Sequence, residues 1–173
     1  MKIIKTAIVL ILISSGLFAY FENYEKYRDL YREMLTPFTE AVLKDVEPGV
    51  EYKLKGPRGV EYKIKNKSDI DLVLHMEVIK EVYGMQREGY EVIPDTSWIR
   101  IKDDTLTVKK GEWAQTEIFL KVPEDEDHYG KSYQAYISAQ HRETMIWPGI
   151  SSYVLFTVKE KKSFLRRIFW FLP

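Results

Sequence analysis

Hydrophobic and polar residues alternate one by one along most of this chain, from about residue 36 to residue 158. The most regular stretch is 105–122, which alternates on both sides of a Lys110-Gly111 turn. Successive side chains of a β-strand point to opposite faces, so this alternation predicts strands that each bury one face. The stretch therefore predicts two strands folded about that turn.

Similar alternating segments, separated by turn residues, recur on both sides of this stretch. The earlier ones lie at 38–46, 50–54, 60–64, 70–78 and 98–101, and the later ones at 133–139 and 154–158. Connections this short leave no room for the crossovers that parallel strands need, so we expect antiparallel pairing. Sheets that each bury one face must stack, which predicts an all-β antiparallel sandwich of about seven to nine strands. A closed barrel would show the same alternation and is the alternative.

The first 19 residues follow a different pattern. Lys2 and Lys5 precede a continuous apolar run, as in a secretory signal, with a cleavage position after Ala19. If the signal is not cleaved, the run is long enough to serve as a signal anchor in a bilayer. Either outcome places the rest of the chain outside the cytoplasm, as a periplasmic, secreted or N-terminally anchored protein.

Residues 20–35 carry Tyr20, Tyr24, Tyr27 and Tyr31 at alternating spacings of four and three. This stripe is typical of an amphipathic helix. We expect a short helix or stalk that lies on the domain or on lipid headgroups, and a coiled-coil or partner-docking helix is the alternative. The predicted organisation is thus 1–19 signal peptide or anchor, 20–35 helix or stalk, 36–158 sandwich, and 159–173 C-terminal tail.

Charge is balanced over the 173 residues, with 26 basic and 26 acidic side chains, but it is unevenly distributed. Residues 159–173 carry five basic residues and one acidic residue, and residues 1–19 carry two lysines, which leaves a net charge of −6 on residues 20–158. A nucleic-acid binder needs a basic face, so we expect no nucleic-acid partner. The chain has no cysteine, so its fold must hold without disulfides.

Motifs that carry catalysis or bind metals are not recognisable. His75, His128 and His141 are scattered, without the spacing of a local zinc site. The acidic run at 124–127 lacks the order of an EF-hand loop, and we interpret it as a solvated turn instead of a calcium site. We therefore expect no enzyme, no cofactor and no metal.

Exposed aromatic side chains are the better candidates for function, because they anchor protein partners and stack on sugars. Alternation places Trp113 and Phe119 together, on the face opposite Ile118 and Leu120. The alternative is that the tryptophans fill the core or its edges. The candidate partner or glycan contacts are Trp98, Trp113, Phe119 and Trp147.

The C-terminal tail combines basic and aromatic residues and is too short to span a bilayer. That composition is typical of a segment at a membrane interface. The candidate membrane contacts are Arg166, Arg167, Phe169 and Trp170. The alternative is a tail packed on its own domain or docked to a partner.

Two segments carry a family resemblance, "VEPGVEYKLKGPRGVEYKIKNKSDIDLVLHMEV" and "SWIRIKDDTLTVKKGEWAQTEIFLKVPEDEDHYGKSYQAYISA". Their order of turns and strands resembles the Ig-like sandwiches of bacterial envelope proteins. It is similar to modules of the WxL-interacting surface proteins and, more distantly, to PapD-like and major-sperm-protein-like domains. The resemblance covers about 36–158 and implies an Ig-like fold without catalytic residues, used for structure, adhesion or assembly.

These observations predict a non-catalytic, extracytoplasmic envelope protein that binds or scaffolds a partner in a surface assembly. The expected partners are an envelope protein or a cell-wall glycan, together with a membrane at the N-terminus and at the tail. The alternative function is a carbohydrate- or peptidoglycan-binding module that uses exposed tryptophans. A periplasmic pilus chaperone is less favoured, because those proteins carry two such domains.

Overall fold

Strands form most of the regular structure in the residues that the computed structural model describes, 33–81, 85–142 and 149–161. They are β1 Met34–Leu35, β2 Glu40–Val46, β3 Glu51–Lys53, β4 Tyr62–Asn66, β5 Leu72–Ile79, β6 Glu91–Val92, β7 Ile99–Ile101, β8 Thr105–Val108, β9 Trp113–Thr116, β10 Ile118–Lys121, β11 Ser132–His141 and β12 Gly149–Val158. Short 3₁₀ turns cover Pro57–Gly59, Thr96–Trp98 and Glu126–His128. The all-β prediction is confirmed.

One layer is a six-stranded sheet in the order β2-β12-β11-β5-β8, with β6 added alongside β11. The long strands β11 and β12 form its centre and pair antiparallel from Ser132 to Gln140. The pairing of β2 with β12 is parallel, as is that of β6 with β11. The sheet is therefore mixed, which differs from the purely antiparallel pairing that the short connections predict.

The other layer consists of two three-stranded sheets, β1-β4-β9 and β3-β10-β7. Only Glu117 separates β9 from β10, so residues 113–121 run through both sheets as one interrupted strand. Backbone bonds continue the pairing across the interruption, because Leu54 N donates to Ile118 O (2.8 Å) and Lys102 N donates to Glu117 O (2.9 Å).

The core lies between the two layers and receives one alternating face of each strand. The six-stranded layer contributes buried side chains such as Leu74, Ile137 and Phe156, and the facing layer contributes Ile64 and Leu120. Burial of such side chains is the main source of stability in a chain without disulfides. The sandwich architecture is thus confirmed for the described residues.

The predicted Lys110-Gly111 turn is present, and Gly111 has a φ of +74°, a conformation that suits glycine. The two strands that it joins do not pair with each other. Strand β8 pairs with β5 in the six-stranded layer, whereas β9 pairs with β4 in the facing layer. Both strands bury one face, so alternation alone does not reveal that they lie in different sheets.

The outer face of β11 differs from the expectation of an exposed polar face, because Gln134 and Tyr136 are fully buried. Residues 85–92 lie over them: Arg87 N donates to Gln134 Oε1 (2.8 Å), and the Tyr136 hydroxyl donates to Met85 O (2.6 Å). An earlier segment of the chain thus covers part of a sheet face that alternation marks as solvent-facing.

Residues 1–32 of the predicted N-terminal segments and residues 162–173 of the predicted tail lie outside the described residues. Met34 and Leu35, the predicted end of the helix 20–35, instead form strand β1 and pair with β4. At the start of the tail, Lys159 and Lys161 pair with Glu47 and Glu126 of the sandwich. Within 33–81, 85–142 and 149–161, no helix has the length and apolar character needed to cross a membrane.

Substituting Tyr62 tests whether its buried hydroxyl lacks a hydrogen-bond partner in solution. The Tyr62 ring packs on Phe38 at 5.1 Å, and burial raises the pKa of its phenol, with the nearby Ser152 hydroxyl offsetting part of the effect. Ser152 Oγ donates to Phe38 O (2.6 Å), and the Tyr62 hydroxyl has no hydrogen-bond partner among the described residues. For Tyr62→Phe we expect an unfolding free energy that is unchanged or about 1 kcal/mol higher, measured by urea unfolding.

The matched control is Tyr136→Phe, which removes a hydroxyl bonded to both Met85 O and Gln134 Nε2. We expect that variant to lose about 1 kcal/mol. A comparable loss for Tyr62→Phe would show that its hydroxyl is bonded in solution.

Candidate functional site

The outer face of the layer that contains β4, β9 and β10 carries the candidate site. Along the interrupted strand 113–121, Thr116, Ile118 and Leu120 are buried, whereas Trp113 and Gln115 are exposed. The outward positions of the neighbouring strands are mostly lysine, arginine and glutamate. The face therefore divides into two halves that differ in how these charges are paired.

The half around Phe119 neutralises its own charges. Lys53 Nζ pairs with Glu61 (2.6 Å) and with Glu117, and Lys102 Nζ pairs with the other oxygen of Glu117 (3.0 Å). The Arg100 guanidinium lies 4.3 Å from the centroid of the Phe119 ring and also pairs with a glutamate, Glu51 (3.1 Å). Internal partners thus satisfy Lys53, Lys102 and Arg100.

The half around Trp113 is built differently, and we name Leu35, Lys63, Lys65 and Trp113 the Trp113 patch. Three strands bring its members together, because Leu35 on β1 lies opposite Lys65 on β4, and Lys65 lies opposite Trp113 on β9. Trp113 is 48% exposed and Leu35 is 40% exposed. Two large apolar side chains therefore face solvent in one row across the sheet.

Two ammonium groups stand over the indole ring of this patch. Lys63 Nζ lies 4.9 Å and Lys65 Nζ lies 5.7 Å from the ring centroid, within the range of cation–π attraction. Among the described residues, neither lysine has an ion-pair partner. The patch thus combines an exposed aromatic ring with two uncompensated positive charges, a combination that can bind an anionic group beside an apolar surface.

Three of the candidate contacts predicted from the sequence, Trp98, Trp113 and Phe119, lie among the described residues. Trp113 is exposed, and Phe119 is half-buried beneath Arg100. Trp98 is only 6% exposed, so the interpretation of Trp98 as a surface contact is corrected: it is a core residue. Its indole packs edge-on against Tyr133 at a centroid distance of 5.4 Å, where the layers close.

The remaining candidates, Trp147, Arg166, Arg167, Phe169 and Trp170, lie outside the described residues.

Sequence reasoning did not identify Lys63, Lys65 or Leu35 as members of the site. The signal for the lysines was present in the segment "YKIKN", whose alternating lysines share the outward face with no acidic residue between them. Their proximity to Trp113 depends on the pairing of β4 with β9, which is not readable from either segment alone.

The acidic run 124–127 lies at the opposite end of this layer, after β10 ends at Lys121. All four of its residues are exposed. The Asp125 side chain accepts a hydrogen bond from Asp127 N (3.0 Å), and Glu126 pairs with Lys161 (2.5 Å). Within the described part of the chain, no group of three or more potential ligands is arranged to hold a metal ion.

The ion pairs of Glu117, in the half around Phe119, predict a pH dependence of stability. Hydrogen bonds from Lys53, and then from Lys102, lower the pKa of Glu117 to about 2 from its ordinary 4.5. A depressed native pKa contributes stability that is complete above pH 4.5 and is lost as the pH falls towards 2. We therefore expect Glu117→Gln to be less stable than wild type at pH 6, with a difference that shrinks as the pH approaches 2.

Urea unfolding of both proteins at a series of pH values measures this difference. Glu88→Gln, at an exposed carboxylate without an ion pair in the described residues, is the control and should show no such trend. The effect should also weaken at high salt, because Glu117 is at the surface. A difference in unfolding free energy that does not change with pH would contradict the lowered pKa of Glu117.

Comparison with solved structures identifies the type of fold. The sequence matches no protein-family model, and no curated protein sequence matches it. A PapD-like domain of human CEP192 (PapD-like domain 7) matches with a TM-score of 0.54 at 12% identity, over 75% of this chain and 87% of that chain. A putative carbohydrate binding protein from Bacteroides ovatus matches with a TM-score of 0.51 at 16% identity, over 75% of this chain and 38% of that chain.

A weaker match is the CsuC-CsuE chaperone-tip adhesion subunit pre-assembly complex of Acinetobacter baumannii, with a TM-score of 0.47 at 13% identity, over 73% of this chain and 57% of that chain. At such identities, similarity concerns the fold alone. The narrower resemblance to WxL-interacting proteins stays a prediction. The described residues have the fold of a PapD-like, Ig-like β-sandwich.

Proposed function

We propose that this chain is a non-catalytic binding module of the cell envelope, which holds a protein partner in a surface assembly through the Trp113 patch. The observation that carries the proposal is the exposed Trp113 ring beneath two lysines without ion-pair partners among the described residues, on a face where Lys53, Arg100 and Lys102 are held in ion pairs. Tryptophan is enriched among the residues that dominate binding energy at interfaces.

The size of the patch is sufficient for a specific contact. A buried tryptophan removes about 150–250 Å² from water, and Trp113 is still 48% exposed. Completing its burial would remove about 100 Å², which is worth about 2.5 kcal/mol at the usual apolar coefficient. Leu35, in the same row, adds to the apolar area that a partner can cover.

The position of the patch relates it to the predicted N-terminal attachment. Strand β1, which carries Leu35, is the first strand after the N-terminal segments, and Lys67 N donates to Glu33 O (2.8 Å) beside it. Residues 20–32 connect this strand to the predicted signal or anchor at 1–19. The extracytoplasmic location rests on that N-terminal signal pattern.

A photoactivatable side chain at position 115 tests the proposal in intact cells. Gln115 is exposed, lies two residues from Trp113 and is opposite Lys63. We expect irradiation to give a discrete crosslinked protein and Trp113→Ala to weaken that partner's affinity by about 30-fold, the effect of losing a 2 kcal/mol contact. The stability of the variant should change by less than about 1 kcal/mol, because half of the ring is already in water.

Val42→Ala is the matched control, since Val42 is 50% exposed but lies on β2 in the other layer. It should leave the crosslink unchanged. A crosslink that survives Trp113→Ala undiminished would count against the patch as the contact surface. External protease should degrade the protein in cells whose outer layer is permeabilised, and complete protection would contradict an extracytoplasmic location.

The alternative function, glycan binding, is favoured by the exposure of the Trp113 ring on an open sheet face. Titration with soluble peptidoglycan fragments, followed by tryptophan fluorescence, distinguishes it from protein binding. Glycan stacking on the Trp113 ring predicts a saturable change that Trp113→Phe removes. The proposed protein contact predicts no saturable change with these fragments.

A further inference from the structure

We infer that the Trp113 patch binds the acidic run 124–127 of a second copy of this chain, so that copies associate head to tail. The inference rests on the proposed function, because it names the partner of the same surface. Its support is the chemistry of two surfaces at opposite ends of the described sandwich.

The charge of the patch requires an anionic partner. Lys63 and Lys65 lack carboxylate partners among the described residues, whereas Lys53 and Lys102, on the same face, share Glu117. A carboxylate brought to the patch gains from both ammonium groups without breaking an existing ion pair. An uncharged partner would cover two lysines without compensating them.

The charge of the rest of the chain selects against a broad anionic surface. Residues 20–158 carry a net −6, so an anionic bilayer or an acidic polysaccharide repels most of this body. Two lysines offset little of that repulsion, since each contributes about 1 kcal/mol near an anionic membrane. A second copy carries the same net charge, but it presents only the short run 124–127 to the patch, so less of its charge lies near the acidic body than for a bilayer or a polysaccharide.

The acidic run has the required chemistry. Its four carboxylates are consecutive and exposed, and the 3₁₀ turn that begins at Glu126 displays them at the rim of the sandwich. Lys161 compensates Glu126, but neither Glu124 nor Asp127 has an ion-pair partner in the described part of the chain. Two free carboxylates can thus meet the two free lysines of the Trp113 patch.

The fold prevents this contact within one copy. The patch lies at the start of strand 113–121 and the acidic run follows its end, so about 25 Å of strand separates them. A contact between two different surfaces of two copies is heterologous and leaves one free patch and one free acidic run. Such association produces rings or open chains of copies, which is suited to a surface assembly.

Engineered cysteines test the contact in the full chain, because the natural sequence has no cysteine to react in their place. One copy carries Gln115→Cys beside the patch, and a second, differently tagged copy carries the exposed Pro123→Cys beside the acidic run. After co-expression and a short exposure of intact cells to a mild oxidant, we expect a mixed disulfide dimer. A copy with Lys44→Cys, on the other layer, replaces the Gln115→Cys copy as the control and should give none.

Charge reversal makes the test specific. Lys63→Glu with Lys65→Glu in the patch copy should lower the dimer yield by about tenfold, as expected for about 1.4 kcal/mol of lost binding. Glu124→Lys with Asp127→Lys in the other copy should then restore the yield. This rescue also shows that the reversed patch is folded.

Three results would overturn the inference: no mixed disulfide, a yield insensitive to charge reversal, or failure of the rescue. The photocrosslink from position 115 keeps the proposed function separate. A Trp113-dependent crosslink to another protein, with no mixed disulfide, would retain the function and reject self-association. A crosslink to lipid or glycan would reject self-association as well.

Discussion

One of the crossings of the chain between the two layers, residues 36–39, is hydrogen-bonded to both layers and so helps to hold them in place. Thr36 Oγ1 donates to Lys63 O (2.8 Å) in one layer, whereas Phe38 O accepts from Ser152 Oγ (2.6 Å) and Thr39 O accepts from Tyr153 N (3.0 Å) in the other. A chain that passes through an apolar interior must satisfy its backbone polar groups, and Pro37, between them, has no N–H to satisfy. The crossing thereby joins β1 to one layer and β2 to the other.

The position of the Trp113 patch follows from this crossing. The chain leaves β1 for the other layer after only two residues, of which Met34 is buried and Leu35 faces outward, and β1 covers a single edge of β4. The remaining edge of β4 pairs with β9, which brings Trp113 opposite Lys65. Packing closes the interior of the described sandwich, so selectivity for a partner must arise on an outer face such as this one.

Alternation was sufficient to predict the sandwich and the outward direction of Trp113, because the period of two is a local property of each strand. It failed where tertiary contacts decide exposure. Trp98 alternates with a buried isoleucine, yet a 3₁₀ turn directs its indole into the core. Tyr136 points outward from its sheet and is buried by residues 85–92, which are distant in sequence. The pairing of β4 with β9, and hence the patch itself, is similarly non-local.

The opposed charges of the two ends have a consequence for specificity. In physiological salt, charges are screened beyond about 8 Å, so Lys63 and Lys65 act only on groups that already touch the patch. Within that range, shape selects among the short acidic segments that can reach Trp113 and Leu35. Attraction that acts only at contact favours a discrete partner over an extended surface, which is the property that an assembly of identical copies requires.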